Sequence, residues 1–236
     1  MTRSDPLVAV FFDVGNTLLF PYPSVSHVVE EVLRDAGHGR DLAAIEELMP
    51  LIDAYYENRF EDDETFWTSE KAASGVWVDM YSLLARRLGV EDEATHIARA
   101  VYDEFGKPER WRVYDDVIPE MQRLRAQGTR LGAISNWDGR LEGLMDGLGL
   151  TRLLDTVVCS AAVGFHKPDP RIFELACERV GAEPAACAHV GDQVYSDILG
   201  ARGAGMTAVL IDRAGKWSPT AVPIIRTLDE LEGALR

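Results

Sequence analysis

Leu7-Val8-Ala9-Val10-Phe11-Phe12-Asp13-Val14-Gly15-Asn16-Thr17 is the stretch on which the fold turns. Apolar residues that run on without polar alternation describe a strand buried on both faces, as in the middle of a parallel sheet. The run stops at a carboxylate, so Asp13 stands at a strand's carboxyl end, the edge where open parallel sheets bind ligands. A carboxylate there is a candidate nucleophile, because it attacks phosphorus or carbon to form a covalent intermediate. Gly15 lets the backbone approach closely and turns its carbonyl oxygen into a candidate metal ligand. Thr17 supplies a hydroxyl for an oxyanion. Taken alone, the same pattern also fits an aspartate that merely caps a turn.

Working outward, residues 130–134, 156–159, 187–190 and 207–211 repeat the apolar strand pattern. Helical spacing follows most of them: Val117, Met121 and Leu124 share a face, and Phe173, Ala176, Cys177 and Val180 share another after Pro170, a good first-turn residue. Ala201 and Ala204 lie on a helix that ends near Gly205. This alternation predicts an α/β protein built on an open parallel sheet covered on both faces. Between residues 20 and 112 the strand pattern vanishes. Val28, Val29, Val32 and Leu33 form one helical stripe after Ser24, a plausible N-cap, and Met80, Leu83, Leu84 and Leu88 form another. Ile97, Val101 and Phe105 recur every fourth residue. The expected organisation is a core domain of residues 1–19 and 113–236 and a helical cap of residues 20–112 that leaves from the ligand-binding edge. Glu61-Asp62-Asp63-Glu64 reads as a solvated loop rather than a metal site. Trp67, Trp77 and Trp111 read as packing residues.

Three further segments bring chemistry to the same edge. Ser135-Asn136 follows the strand at 130–134, and its hydroxyl and amide suit a phosphate oxygen. Lys167, in Gly164-Phe165-His166-Lys167-Pro168-Asp169-Pro170, offers a cation that binds substrate and keeps clustered carboxylates ionised. Asp192 and Asp197, in Gly191-Asp192-Gln193-Val194-Tyr195-Ser196-Asp197, are the expected metal partners of Asp13, with Asp197 acting from behind the ligands. Few, hard oxygen donors suit Mg²⁺. His189, on the strand before this segment, reads as a core histidine. His166 lies nearer the site.

Composition narrows the function classes. Hydrophobic residues make up 47% of the 236, enough for a large core. With 39 acidic against 24 basic residues and a net charge of −15, the chain lacks the basic cluster that a nucleic-acid partner demands. A small anionic substrate remains compatible, because the local field of a cleft outweighs net charge. Cys159, Cys177 and Cys187 form no CxxC pair, and no leader precedes Leu7, which predicts reduced thiols in a cytoplasmic protein. No apolar run is long enough for a bilayer.

Asp13 to Thr17, Ser135-Asn136, Lys167-Pro168-Asp169-Pro170 and Gly191-Asp192 to Asp197, in that order, resemble the motifs of the haloacid dehalogenase superfamily. The likeness covers nearly the whole chain. Ser135-Asn136-Trp137-Asp138-Gly139-Arg140-Leu141-Glu142 is most similar to the branch named for haloacid dehalogenase-like hydrolase domain-containing proteins. The resemblance implies a Rossmann-like core, a helical cap, a Mg²⁺ site and an aspartyl-enzyme intermediate on a small phosphorylated substrate. One position departs from it. Phosphatases of this family carry an aspartate two residues after the nucleophile, which protonates the leaving alcohol and then activates water; here that residue is Gly15. Loss of a general acid–base group removes about 10²–10⁴ in rate. Asp138 is a candidate substitute. Three readings follow: a Mg²⁺-dependent phosphohydrolase with altered acid–base chemistry, a 2-haloacid dehalogenase in which Asp13 attacks carbon, and a non-catalytic binding protein on the same scaffold. Retention of Asp192 favours the first over the second.

Overall fold

The apolar run that ends at Asp13 forms a fully buried strand in the computed structural model, which describes residues 7–218 and 221–235. The strands, in chain order, are β1 (Ala9–Phe12), β2 (Leu19–Pro21), β3 (Trp111–Val113), β4 (Arg130–Ser135), β5 (Thr156–Cys159), β6 (Cys187–Gly191), β7 (Thr207–Ile211) and β8 (Ile224–Ile225). Six of them make one sheet in the order β5-β4-β1-β6-β7-β8. Its pairings are parallel throughout. β1 therefore sits between β4 and β6, which explains its unbroken apolar sequence.

The helices are α1 (Val25–Asp35), α2 (Leu42–Asp62), α3 (Glu70–Arg87), α4 (Ala94–Glu104), α5 (Val117–Ala126), α6 (Leu141–Gly147), α7 (Ser160–Val163), α8 (Pro170–Val180), α9 (Gly200–Gly203) and α10 (Leu231–Ala234). The stripe of α8, from Ile172 to Val180, packs on Ala9 and Phe11 of β1 and Ile134 of β4. Pro170 occupies the first turn of α8. Asp169 caps it by accepting from the Arg171 N–H at 2.9 Å, and Gly181, at φ +62°, ends it in the left-handed region. Val10 and Phe12 point to the opposite face of the sheet, as the strand period requires. Gly132 of β4 lies where β1 and β5 crowd in. A Cβ at this position would come within 2.6 Å of the Phe11 ring and 2.9 Å of the Thr156 methyl.

The described chain divides into two units, one comprising the residues up to Phe20 and from Val113 onward, the other Pro21–Arg112. The second unit is helical. Ser24 caps α1, its hydroxyl accepting from the His27 N–H at 3.2 Å. The stripe of Val28, Val29, Val32 and Leu33 joins Met80 and Leu84 of α3 and Ile97 and Val101 of α4 in one apolar cluster. Beside it runs a ladder of rings. Tyr56 stacks on Trp77 (5.9 Å between centroids), Trp77 on Tyr81 (6.4 Å) and Tyr81 on Phe105 (6.1 Å), which meets Trp111 edge-on (5.8 Å). Trp67 packs against Trp77 at 6.1 Å. All three tryptophans thus pack inside this unit.

Residues 61–64 are not a loop. Glu61 and Asp62 end α2, and Asp63 accepts from the Thr65 N–H at 3.0 Å to start a 3₁₀ turn. The local Asp–Thr cap outweighs the charge repulsion that suggested an irregular segment. β2, β3 and β8 were invisible in the sequence because two or three residues carry no period. Among the described residues no helix is long and apolar enough to cross a membrane.

Gly132→Ala tests the crowding at the sheet centre. Overpacking there is expected to cost about 1–3 kcal/mol, measured as a lower urea midpoint by circular dichroism. An unchanged midpoint would show that the Phe11 ring moves aside freely.

Candidate active site

Parallel pairing delivers the ends of β1, β4 and β6 to one edge. Asp13 directly follows β1, and its N–H donates to the Val190 carbonyl at 2.8 Å. Ser135 ends β4 and Asp192 follows β6. The Ser135 hydroxyl donates to Asp13 Oδ1 at 3.1 Å. Lys167 Nζ donates to the same oxygen at 2.6 Å and to Asp197 Oδ1 at 2.5 Å. The lysine is 1% exposed, whereas Asp13 keeps 7%. Asn136 places the lysine backbone. Its Nδ2 donates to the Lys167 carbonyl at 2.9 Å, and its Oδ1 accepts from the Lys167 N–H at 2.8 Å. Both ends of the amide that the sequence offered to a phosphate are therefore engaged with the lysine.

Asp197 lies in a π-helical turn, Val194–Leu199, and is fully buried. Its Oδ1 also faces His189 Nε2 at 2.9 Å, and its Oδ2 accepts from the Gln193 N–H at 3.0 Å. The carboxyl group rests on Gly191, where a Cβ would stand 2.2 Å from its carbon; only glycine leaves that room. Asp192 Oδ2 accepts from Gln193 Nε2 at 3.0 Å. Asp13, Asp192 and Asp197 each present a carboxylate oxygen within 4.8 Å of the others.

Burial alone would lower the Lys167 pKa, but the Asp13 and Asp197 carboxylates raise it above the ordinary lysine value. Burial acts against ionised Asp197, yet Lys167 and His189 hold it below the usual carboxylate range. Asp13 is pushed up, by burial first and by the Asp197 charge, with Lys167 opposing. Asp192 is pushed up to about 8, by burial and then by Asp13 and Asp197. Three carboxylates share one ammonium, so the cluster lacks positive charge. A divalent cation with hard oxygen ligands fits that deficit.

Two predicted residues have different surroundings from those the sequence suggested. Thr17 is fully buried, and its Oγ1 has no hydrogen-bond partner in the structure. Asp138 is 1% exposed; its carboxylate accepts from Arg140 Nε at 2.8 Å and Arg140 Nη2 at 2.6 Å. Both Asp138 oxygens are thus engaged by the guanidinium two residues on. Gly15 instead borders an indole, where a Cβ would sit 3.4 Å from Trp137 Cζ3. The Trp137 carbonyl is fixed by the Ala161 N–H, the Ser160 hydroxyl and the Cys159 thiol at 3.1–3.3 Å. The sequence reading also missed Arg213. It donates to the Thr17 carbonyl and to Asp116 Oδ2, both at 2.7 Å, and lies 4.0 Å over the Tyr114 ring. An arginine after a strand carries no local signal of such a role.

The haloacid dehalogenase-like hydrolase family model matches residues 7–205. The chain belongs to this family of hydrolases. The zebrafish (Danio rerio) haloacid dehalogenase-like hydrolase domain-containing protein 3 is 31% identical over 98% of this chain and 97% of its own length. The match to the human protein of that name is 40% identical over 57% of this chain and spans only 55% of the human protein. A glyceraldehyde 3-phosphate phosphatase of Methanopyrus kandleri is 32% identical over 89% of this chain and 85% of its own. Among solved structures, a HAD phosphatase from Thermococcus onnurineus superposes with a TM-score of 0.66 at 28% identity, covering 96% of this chain and 97% of that one. A 2-haloacid dehalogenase from Pseudomonas syringae does so with the same score at 26% identity, over 97% and 98%.

Lys167→Met removes the ammonium that bridges Asp13 and Asp197. Breaking a buried pair costs about 3–5 kcal/mol, so the variant should lose stability of that order at neutral pH. Asp197, whose folded pKa is depressed, contributes stability above the unfolded pKa near 3.8, lost as pH falls through the folded value. That contribution disappears with the lysine, so the deficit should be largest at neutral pH and narrow in acid. Urea unfolding at about pH 7 and about pH 2 measures it, because the loss falls below the unfolded pKa; a pH-independent deficit would contradict the electrostatic account.

Proposed function

We propose that this hydrolase is a Mg²⁺-dependent phosphohydrolase of a small phosphorylated metabolite, with Asp13 as its nucleophile. The observation that carries this reading is the Lys167 ammonium, bonded at once to Asp13 and Asp197 with Asp192 alongside. Kinship with a glyceraldehyde 3-phosphate phosphatase supports the phosphoryl substrate class. Mg²⁺ would be held by Asp13, Asp192 and the Gly15 carbonyl oxygen, with Asp197 oriented behind them. When bound, the metal supplies positive charge against the repulsion between carboxylates and phosphate.

The chain's own residues divide the remaining work. Ser135 and Lys167 point Asp13, Lys167 favours its ionised form against burial, and both can bind a phosphoryl oxygen as the group transfers. The Asp13 carboxylate oxygen forms a bond to phosphorus as the bond to the leaving oxygen breaks. Water then attacks the aspartyl phosphate, releasing inorganic phosphate and restoring the carboxylate. Gly15 can neither give the leaving oxygen its proton nor take one from water. Solvent must do both. Esters and anhydrides whose leaving group is stable as an anion are therefore the favoured substrates, and the acyl phosphate on Asp13 is long-lived.

A dehalogenase reading draws on Gly15 and on the likeness to the Pseudomonas syringae enzyme, but gives Asp192 no task. Beryllofluoride with Mg²⁺ should occupy Asp13, seen as a shifted ¹⁹F spectrum and a higher Tm. Asp13→Asn should abolish the signal, and chelation should reverse it. Slow turnover of an aryl phosphate that persists unchanged in excess chelator would refute the metal-dependent reading.

A second expectation concerns pH. Asp192, raised from 3.8 to about 8, stays protonated between those values in the metal-free fold. Ionising it therefore costs stability as pH rises through that window. Metal binding must displace its proton, so Mg²⁺ affinity should climb by up to about tenfold per unit until about pH 8 and then level off. Isothermal titration with Mg²⁺ across that range tests this; a flat profile would remove Asp192 from the ligand set.

A further inference from the structure

We infer that His189 is a positioning residue: its Nε2–H locks the Asp197 carboxylate in the orientation that presses Lys167 against Asp13. This rests on the phosphohydrolase reading only where the consequence for Asp13 is measured. Three donors converge on Asp197, and they come from three separate elements. Lys167 arrives from the loop before α8, Gln193 N–H from the turn after β6, and His189 from β6 itself. The two side-chain donors meet on one oxygen, Oδ1. Without the imidazole, Lys167 and Gln193 alone would hold the carboxylate, one at each oxygen. The group could then tilt about its own axis and carry Nζ away from Asp13, 2.6 Å distant.

The imidazole is itself immobile. Its backbone sits in the middle of the sheet, in register with Phe11 of β1 and Ala208 of β7. The side chain has no exposed surface, and the Phe173 ring meets it edge-on at 5.2 Å and 86°. A carboxylate only accepts, so the ring proton facing it must be on Nε2. Nδ1 has no hydrogen-bond partner in the structure, as expected of a bare nitrogen in an apolar wall. A histidine retained for packing alone would gain nothing from burying an unpaired nitrogen, which is costly in such surroundings. The buried bond to Asp197 accounts for the residue; packing does not.

The test compares His189→Phe, which keeps a ring but no donor, with His189→Gln, whose terminal N–H reaches the position of Nε2. Trapping of Asp13 by Mg²⁺ and beryllofluoride should weaken about 10–100-fold in the Phe variant, and the Gln variant should recover most of it. Equal trapping by the Phe variant and the wild type overturns the inference. So does a Gln variant as impaired as Phe, because that outcome assigns the ring to packing. Long-range ¹H–¹⁵N correlation on the unaltered protein gives an answer even if a variant does not fold. It should find the His189 proton on Nε2 and a bare Nδ1; a proton on Nδ1 sinks the proposal. Failure of the wild type itself to take up beryllofluoride would remove the phosphohydrolase reading, while the tautomer would still decide the role of His189.

Discussion

A single buried ammonium holds together the edge of this sheet. Lys167 reaches in from the loop before α8 and binds Asp13 from the end of β1 and Asp197 from beyond β6. Each of these groups is unfavourable alone. A buried lysine would shed its proton, and buried aspartates would take one up. Together Lys167 and Asp197 stay charged, and Lys167 opposes the rise that burial imposes on Asp13. The rest of the local structure serves this arrangement. Asn136 grips the lysine backbone at both ends of its amide, the π-turn brings Asp197 inward, and Gly191 leaves space for the carboxyl group.

Buried pairs seldom add net stability, because desolvation consumes most of the attraction. The cluster is therefore better understood as a functional feature held in place by the apolar layers beneath it. Phe11, Ile134 and the stripe of α8 make those layers, and they bring β1, β4 and β6 into register. Register decides the chemistry here, since a slip of one residue would point Asp13 or Ser135 toward the other face.

Much of this was legible in the sequence, and the reasons differ by element. β1 and β4 to β7 announced themselves because strands buried on both faces need continuous apolar runs. α8 was equally clear from Pro170 and its periodic stripe. Asp13, Ser135 and Asp192 could be placed at one edge because a polar residue directly after a buried strand has few other destinations. What stayed hidden depends on three-dimensional partners. Nothing local to Asn136 says that its amide will clamp a lysine 31 residues away. Arg213 gives no sign that it will hold the Thr17 carbonyl, 196 residues earlier. Asp138 looked available until the structure paired it with Arg140, two residues on. His189 reads as a core residue in any window, because its carboxylate partner lies eight residues away across a turn.

Gly15 connects the chemistry to the packing. The position is half-buried, and the Trp137 indole lies where a side chain would begin. Three donors from the segment that ends β5 and begins α7 fix the backbone carbonyl of this residue. A side chain placed at residue 15 would thus begin in van der Waals contact with the indole. Glycine at this position and tryptophan at 137 are neighbours, so a side chain at residue 15 would have to be aimed past the indole. On the proposed phosphohydrolase reading, the groups that orient Asp13 are in place, while residue 15 carries no group that moves protons. On that reading both half-reactions at Asp13 lack the same proton carrier, so the acidity of the leaving group and solvent water set the rate of each.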